Sequence, residues 1–408
     1  MRNDEYMRRA IELARRGEGL VNPNPMVGCV VVKDGRIVAE GWHERYGGFH
    51  AERNALLSCT EDARGAELYV TLEPCCHTGK TPPCTDIIIE RGIGKVYIGS
   101  DDPNPLVAGH GIELLKNAGV EVETHVMKEE CDALNEVFFH YITTGRPFVA
   151  MKYAMTLDGK IALAPAGGSS TGSAAGTSGP AAGPIPPEDR RITGPEALAH
   201  VHSLRKRYQS ILVGAGTVLA DDPMLTYRGD VASESRTDVP DKSKHSFGTS
   251  VRDTSVESGI QPIRIILDSR LRIPLTTNVV KTAREIPTII ATTSTEVEPY
   301  ENAGCTVWTL PPDDAGHVDI EALLDKMGEE KIDSVLIEGG SSIHGSLLAH
   351  PGRINRVYAY IAPKLIGGAT ALSPAGGEGV AHMSDALTLK DREIIPLGAD
   401  LLITGRIN

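Results

Sequence analysis

The sequence lacks any segment that would carry the protein into or across a membrane. No apolar run in its 408 residues approaches the roughly 18 residues needed to span a bilayer. The first residues are charged and lead directly into a helical pattern, so the apolar core of a secretory signal is missing. We therefore expect no membrane association, and a location in the cytoplasm, or in an organelle stroma if a transit segment has been removed.

An excess of positive charge is also missing. The formal net charge of −13 at pH 7 repels a phosphate backbone over most of the surface, so we do not expect nucleic acid as a partner. The composition, 41% hydrophobic and 23% charged, is near that of an average globular protein, and 408 residues suit two domains of about 150 to 250 residues. We expect a small-molecule substrate and a homo-oligomer.

The seven cysteines do not suggest a disulfide framework. Their number is odd, and Cys75, Cys76 and Cys84 fall within ten residues, a clustering that indicates metal binding rather than disulfides. The other four stand singly in apolar surroundings, where we expect packing roles. These four are Cys29, Cys59, Cys131 and Cys305.

Predicted strands and helices alternate along the first part of the chain. Apolar residues recur there at helical spacing or in short β-prone runs bounded by turns. In order, they predict a helix at 4–16, a hairpin at 28–39, a helix from about 50, a strand at 68–72, a helix from about 84, a strand at 96–98 and a helix at 111–118. This order indicates a layered α/β domain with helices on the faces of a sheet.

A domain boundary follows near residue 146. Gly145 and Pro147 close a helical stretch before a new strand at 148–151. We place the first domain at 1–146 and the second at 147–408. Because strands and helices alternate again after the boundary, the second domain is also predicted to be α/β.

Two insertions interrupt the second domain. Residues 164–187 are almost entirely Ala, Gly, Ser, Thr and Pro, a composition that cannot bury a core. Residues 229–260 are polar and charged without periodicity. We expect both segments to be surface loops.

The first domain contains the residues of a zinc site. His50 stands before a predicted helix, and Cys75 and Cys84 follow a predicted strand. One histidine and two cysteines give Zn²⁺ three ligands and leave the fourth tetrahedral position open for water, as in catalytic sites. Cys76 as a fourth ligand would close the site and make it structural, but adjacent residues rarely reach one ion in tetrahedral geometry.

Glu52 is the candidate catalytic residue of this site. It lies two residues after His50, so its carboxylate can reach the water that the metal activates without taking a ligand position. Hydrolytic deamination needs a group that takes a proton from this water and delivers it to the ring nitrogen and the leaving ammonia. The pattern His-x-Glu followed by Pro-Cys-x-x-Cys is typical of zinc deaminases.

The spacing of the cysteines differs from this general pattern. Eight residues separate Cys75 from Cys84, where the general pattern has two. The segments that resemble the riboflavin-biosynthesis branch of the deaminase superfamily are 22–30, 41–43 and 72–84. The resemblance implies a cytidine-deaminase-like α/β/α fold with Asn24, His43 and Lys80 in the substrate pocket, and it makes Lys80 a candidate partner for a phosphate.

The second domain contains two glycine-rich turns after predicted strands. The segment 214–217 has no side chain to block a close backbone approach, and 339–341 opens a helix whose free N–H groups can bind phosphate. The third glycine of a Rossmann dinucleotide motif is missing, because Leu219 takes its place. The pattern therefore indicates a nucleotide site of another kind.

The order of motifs in the second domain resembles the reductase half of the bifunctional riboflavin-biosynthesis deaminase/reductase, whose fold is similar to dihydrofolate reductase. The matching segments are 152–160, 191–194, 211–226 and 336–341. The resemblance implies an NADPH-dependent reductase. It implies cofactor contacts at Ala154, Arg191, Thr217, Asp221, Ser269 and Gly340. It implies substrate contacts at Arg205, Leu225, Arg228 and Glu338, where the two arginines suit a ribose phosphate because a guanidinium offers bidentate donors.

The catalytic group of the reductase and one cofactor contact have open alternatives. Lys152 and Asp221 are the candidate proton donors, but Asp221 precedes Asp222-Pro223 and is equally suited to cap a turn. Arg191 stands where the family usually has an aromatic residue. Stacking on the cofactor is therefore in doubt at this position, and pairing with a phosphate of the dinucleotide is the alternative.

The two resemblances together imply two successive steps of riboflavin biosynthesis. The first is zinc-dependent deamination of 2,5-diamino-6-(5-phosphoribosylamino)pyrimidin-4-one, and the second is NADPH-dependent reduction of the ribosyl group of its product to ribityl. One rival is a nucleoside or tRNA deaminase with an unrelated second domain, which the acidic charge and the cysteine spacing disfavour. Another is a zinc-stabilised binding module, which would not need Glu52.

Overall fold

The computed structural model describes residues 3–78, 81–105, 107–163, 191–229 and 261–407. The chain divides into two compact units, Met1–Phe148 with Glu321–Ser334, and Val149–Ile320 with Val335–Asn408. Apart from Gly229, both expected insertions lie outside the described residues. Among the described helices, none is long and apolar enough to cross a bilayer.

The first unit is built on a five-stranded sheet with the order β2-β1-β3-β4-β5. Its elements are α1 (Asn3–Ala14), β1 (Gly28–Lys33), β2 (Arg36–Trp42), α2 (Ala51–Ser58), β3 (Glu67–Leu72), α3 (Cys84–Glu90), β4 (Lys95–Ser100), α4 (His110–Asn117), β5 (Glu121–Thr124), α5 (Lys128–Leu134) and α6 (Glu136–Thr144). β1 runs antiparallel to β2 and β3, whereas β3, β4 and β5 are parallel. The expected hairpin and the α/β order are confirmed.

Helices cover both faces of this sheet because successive residues of a strand point to opposite sides. Cys29 and Val31 of β1 belong to the core that contains apolar residues of α2 and α3. Val30 and Val32 belong to the core formed with α1. The first unit is therefore an α/β/α sandwich.

Gly41 allows α2 to lie directly against β2. A Cβ atom at this position would approach the Ala55 nitrogen to 2.4 Å and the Ala51 carbonyl oxygen to 2.5 Å. Only a glycine permits so close a contact between strand and helix backbone. The glycine thereby seats the N-terminus of α2, where His50 and Glu52 are located.

From residue 148 onward, a nine-stranded sheet has the order β10-β9-β8-β7-β11-β6-β12-β14-β13. The elements are β6 (Phe148–Thr156), α7 (Pro195–Arg207), β7 (Ser210–Gly214), α8 (Ala215–Asp221), β8 (Ile263–Leu267), α9 (Asn278–Lys281), β9 (Thr288–Thr292), α10 (Glu298–Ala303), β10 (Thr306–Thr309), α11 (Ile320–Glu329), β11 (Ser334–Gly339), α12 (Ser341–Leu348), β12 (Arg356–Ala362), β13 (Lys390–Leu397) and β14 (Asp400–Arg406). The expected second α/β fold is confirmed.

The strands β10, β9, β8, β7 and β11 are parallel to their neighbours in this order. Parallel strands end at the same edge of a sheet, so the loops that follow β7, β8 and β11 lie side by side. One core packs the central strands against α8 and α9 and contains Ile211, Ile266 and Ile290. This core fixes the sheet edge at which the second candidate site forms.

Candidate active sites

The first candidate site joins two helix starts and one strand end. His50 immediately precedes α2, Cys84 is the first residue of α3, and Cys75 follows β3. The His50 Nδ1 atom lies 3.4 Å from the Cys75 sulfur and 3.5 Å from the Cys84 sulfur. All three donor atoms lie within 4.8 Å of one another.

This donor set fits zinc. Ordinary zinc–nitrogen and zinc–sulfur bonds at a tetrahedral angle separate nitrogen from sulfur by about 3.6 Å. The two observed separations between His50 and the cysteine sulfurs, 3.4 and 3.5 Å, match this spacing. Cys76 does not belong to the group of three within the described part of the chain.

Glu52 is buried beside the three donors. It lies in the first turn of α2 and is only 3% exposed. Burial raises the pKa of Glu52 to about 7, and the negative charge of Cys75 acts in the same direction. A carboxyl group with such a pKa can both accept and release a proton near neutral pH.

The two cysteines differ in their surroundings. The backbone amide of Cys84 lies 3.4 Å from the Cys75 sulfur and donates to it. Hydrogen bonding from the Cys84 side chain lowers the pKa of Cys75 to about 4, and His50 contributes in the same direction. Cys75 is therefore stabilised as a thiolate, the form that binds a metal.

His43 and Asn24 form a hydrogen-bonded pair next to the metal donors. His43 Nδ1 donates to the Phe49 carbonyl oxygen at 2.9 Å, so its Nε2 accepts from the Asn24 amide at 3.1 Å. Burial lowers the pKa of His43, which is consistent with this neutral form. The rings of His43 and His50 meet edge to face, with centroids 5.4 Å apart.

The structure thus brings six of the seven predicted residues of this site together. The seventh, Lys80, lies outside the described residues. Sequence reasoning missed Glu73, whose buried carboxylate accepts hydrogen bonds from the backbone amides of Gly109 at 3.0 Å and Gly111 at 3.1 Å. These bonds cap α4 and fix the chain two residues before Cys75. Its position between a strand and the Pro-Cys pair was the available signal.

A buried ion pair marks the second candidate site. The Arg205 guanidinium donates from Nε and Nη2 to the two carboxylate oxygens of Glu338, at 2.6 and 2.8 Å. Burial alone would raise the pKa of Glu338, but the charge and hydrogen bonds of Arg205 hold it below its usual value. Burial lowers the pKa of Lys152. The negative charge of Glu338 acts to raise this pKa, and the positive charge of Arg205 acts to lower it further.

The segment after α8 adjoins this ion pair. Arg205 also donates to the Thr226 carbonyl oxygen at 3.0 Å, and the Arg228 backbone amide donates to His202 Nδ1 at 3.3 Å. The Arg228 side chain is exposed. Leu225 has a left-handed backbone, φ +51°, and its side chain is buried in the apolar core. A substrate contact at Leu225 would therefore involve its backbone.

A cavity of about 780 Å³ opens at the edge of the nine-stranded sheet. Thr217, Asp221, Ser269 and Gly340, four predicted cofactor contacts, line it. Gly339 and Gly340 have φ values of 153° and 102°, conformations that favour glycine and allow the chain to turn directly from β11 into α12.

The other two predicted cofactor contacts do not line this cavity within the described residues. Ala154 lies on β6 and pairs with Tyr360 of β12. Arg191 is exposed, and its carbonyl oxygen accepts a hydrogen bond from Lys364 Nζ at 3.0 Å. Sequence reasoning missed the cavity residues Arg270 and Arg272, although they directly follow Ser269 and a predicted strand.

Two family models match the chain. The model described as the RibD C-terminal domain matches residues 147–403, and the cytidine and deoxycytidylate deaminase zinc-binding region matches residues 1–100. The riboflavin biosynthesis protein RibD of Actinobacillus pleuropneumoniae is 49% identical over 402 residues, which cover 98% of this chain and 94% of that protein. The chain belongs to the RibD family.

Other family members agree over the full length. The RibD protein of Escherichia coli is 36% identical over 408 residues, covering 99% of both chains. A solved RibD structure from Acinetobacter baumannii superposes with a TM-score of 0.78 at 32% identity, covering 99% of this chain and 98% of that one.

A solved structure from Thermotoga maritima, described as a diaminohydroxyphosphoribosylaminopyrimidine deaminase/5-amino-6-(5-phosphoribosylamino)uracil reductase, has a TM-score of 0.76 at 37% identity with the same coverage of both chains. The expected family and its two folds are therefore confirmed. The protein is a bifunctional enzyme of riboflavin biosynthesis, with a zinc-binding deaminase domain and a reductase domain.

Proposed function

We propose that the enzyme deaminates 2,5-diamino-6-(5-phosphoribosylamino)pyrimidin-4-one and then reduces the ribosyl group of the product to ribityl with NADPH. The observation that carries this proposal is the grouping of one imidazole nitrogen and two sulfurs at zinc-like spacing beside a buried carboxylic acid. The similarity to the Thermotoga maritima diaminohydroxyphosphoribosylaminopyrimidine deaminase/reductase supports the choice of substrate.

In the deaminase domain, His50, Cys75 and Cys84 are the proposed zinc ligands. Zinc held there supplies the Lewis acidity that makes water a nucleophile near neutral pH. Glu52 is the proposed catalytic residue, which takes one proton from the water and delivers it to the ring nitrogen, and then transfers the second proton of that water to the leaving amine. Its burial and its pKa of about 7 support this role.

Asn24 and His43 are proposed to orient the pyrimidine ring. The hydrogen bond from the Asn24 amide to His43 fixes the orientation of the asparagine, so its carbonyl oxygen can accept from an amino group of the substrate. His43 in turn is held by the Phe49 carbonyl. Lys80 is kept as the proposed partner for the substrate phosphate.

In the reductase domain, Arg205, Leu225, Arg228 and Glu338 are the proposed substrate contacts. The bidentate Arg205–Glu338 pair places two fixed hydrogen-bonding groups at the end of β11, where a ribosyl chain with several hydroxyls can bind. The exposed Arg228 guanidinium suits the phosphate.

Lys152 and Asp221 are the proposed proton donors. Lys152 acts electrostatically on Glu338, so it adjoins the proposed substrate contacts, and burial lowers its pKa toward the neutral range in which an ammonium releases a proton more readily. Asp221 lies in the cavity that we assign to NADPH.

NADPH, which supplies the reducing equivalents, is proposed to occupy this cavity, whose volume of about 780 Å³ is within the range of small-molecule sites. Contacts inside the cavity are assigned to Thr217, Asp221, Ser269 and Gly340. Ala154 and Arg191 remain proposed contacts to parts of the cofactor outside this lining. The first turn of α12, with its free backbone amides, suits the pyrophosphate.

The domain boundary at 146/147, the homo-oligomeric state and the cytoplasmic location are also our proposals. The start of the reductase family match at residue 147 supports the boundary. None of the seven cysteines, all of which the structure describes, forms a disulfide, as expected in a reducing compartment. Light scattering of the purified enzyme tests the oligomeric state.

The function is tested by incubating the purified zinc-loaded enzyme with the diaminopyrimidine ribotide, with and without NADPH. We expect ammonia release in both reactions and oxidation of NADPH only after ammonia has been released. Absence of ammonia release with zinc bound would contradict the deaminase assignment. Ammonia release without NADPH oxidation would contradict the reductase assignment alone.

A further inference from the structure

The cavity of the second unit crosses the ends of three neighbouring strands. β11, β7 and β8 are adjacent and parallel. Gly340 follows β11, Gly214 ends β7 and Ser269 follows β8, and all three line the cavity. Two strand spacings separate Gly340 from Ser269, so the cavity extends about 10 Å across the sheet edge.

The two ends of this cavity differ chemically. Glu338, paired with Arg205, lies near the carboxyl end of β11, and this pair belongs to the proposed substrate site. A dinucleotide whose reactive ring reaches this end extends its adenosine half toward β8. This step rests on the proposed reductase function.

Arginines occupy the β8 end. Arg270 and Arg272 are exposed, and both line the cavity together with His317. Arg272 Nε lies 3.7 Å from Oδ1 of Asp268, a fully buried carboxylate. Within the described ranges, this oxygen has no hydrogen-bond partner. The buried charge of Asp268 thus holds Arg272 at the cavity wall.

The turn that carries both arginines is rigidly held. Asp268 Oδ2 accepts from the Ile273 amide at 2.8 Å, and the Tyr300 hydroxyl lies 2.6 Å from the Ile273 carbonyl oxygen and 3.1 Å from that of Leu271. Ser269 Oγ accepts from the Val318 amide at 2.9 Å. These bonds fix the turn before any ligand binds, so ordering it costs little on binding.

Carboxylates in the cavity, including Asp313 beside His317 at the β8 end, suit hydroxyl groups rather than phosphates. Asp221, Asp313 and Asp319 also line it. Asp313 Oδ1 accepts from the backbone amides of Ala315 at 2.9 Å and His317 at 2.8 Å, within its own turn. A carboxylate accepts from ribose hydroxyls, whereas a phosphate ester requires the guanidinium groups.

We propose that Arg270 and Arg272 bind the 2′-phosphate of the dinucleotide and so make the reductase select NADPH over NADH. A guanidinium pair matches a phosphate ester with bidentate hydrogen bonds. The 2′-hydroxyl of NADH gives these groups neither charge nor bidentate geometry.

Calorimetry with two fragments tests the proposal without turnover. The parent enzyme is expected to bind adenosine 2′,5′-bisphosphate at least about tenfold more tightly than adenosine 5′-monophosphate. In the Arg270→Ala/Arg272→Ala variant this advantage should fall below about threefold, while 5′-monophosphate affinity stays within about twofold of the parent. Arg392→Ala, at an exposed arginine of β13 that does not line the cavity, is the matched control and should retain the parent affinities.

If the parent enzyme bound the two fragments with equal affinity, the proposal would be overturned. This measurement does not depend on any variant. Equal weakening of both fragments in the double variant would also overturn it, because the arginines would then bind the 5′-phosphate. Reductase turnover separates this inference from the proposed function. Equal kcat/KM with NADH and NADPH contradicts only the inference, whereas no turnover with either nucleotide contradicts the reductase assignment.

Discussion

The two candidate sites differ in how far apart their residues lie in the chain. The proposed zinc ligands and Glu52 fall between residues 50 and 84, on elements that adjoin within one small sheet. The proposed reductase residues run from Lys152 to Gly340 and come from strands, two helices and the loops between them.

This difference determines what each site depends on. The proposed zinc ligands stand at the starts of α2 and α3 and just after β3, so two helix starts and one strand end bring them together. The reductase site requires that β11 enter the sheet between β7 and β6, far from its place in sequence. The first site is sensitive to single ligand changes, and the second to contacts between distant segments.

The largest effect is expected from replacing a zinc ligand. Cys84→Ser should release zinc and lower deamination by at least about 10³-fold, because a hydroxyl is a poor replacement for a thiolate on this ion. Elemental analysis and ammonia release provide the measurements. Cys76→Ser is the matched control and should retain zinc. A zinc-free Cys76→Ser protein would show that Cys76 is a fourth ligand, which would make the site a closed, structural one.

A smaller effect is expected at Glu52. Glu52→Gln should lower deamination by about 10²-fold and leave the zinc content unchanged, because proton transfer is lost while all three proposed ligands remain. Reduction of the deaminated ribotide, measured by NADPH absorbance in the same preparation, should continue at the parent rate. Loss of zinc from this variant would assign Glu52 to the ligand set.

The third effect concerns the buried ion pair of the reductase. The side chains of Arg205 and Glu338 are only 16% and 7% exposed. Glu338→Gln therefore leaves a largely buried guanidinium without its carboxylate partner. We expect kcat/KM for reduction to fall by about 10-fold to 10²-fold. Ammonia release should be unchanged, and a parallel loss of both activities would instead indicate that the whole protein is destabilised.

The smallest catalytic effect is expected at Arg264, a completely buried arginine of β8. Its guanidinium donates to five acceptors at 2.6 to 3.2 Å: Met224 O, Val279 O, Thr282 Oγ1, Ile286 O and Thr288 Oγ1. It thereby ties β8 to the segment that leads to Leu225 and Arg228.

Arg264→Lys retains the charge but cannot reach all five acceptors. The reductase part of the protein should lose about 2 kcal/mol or more of unfolding free energy, with reduction falling only severalfold. Thermal unfolding measures the loss, and Arg392→Lys on the exposed β13 is the matched control. An unchanged unfolding temperature would show that the segment leading to Leu225 and Arg228 does not depend on Arg264.

Much of the fold could be predicted because strong periodic patterns coincide with buried elements. The helix expected at 111–118 is α4, and the strand expected from 148 is β6. The strands β5, β10, β13 and β14 were missed. The first five residues of β13 are all exposed, so this strand lacks the alternating apolar face that identifies a strand in a sequence. Leu225 remains a predicted substrate contact, but the sequence did not show that its side chain packs in the core and leaves only its backbone for the substrate.

By itself, the sequence determined the two α/β folds and the zinc donor set, because periodicity and ligand spacing are local properties of the chain. Only the tertiary structure decided that Arg205 pairs with Glu338, that the buried Arg264 donates to carbonyl and hydroxyl oxygens, and that two arginines line the cavity. The physical reason is that strand order in a parallel sheet places distant segments side by side, and no local pattern specifies that order.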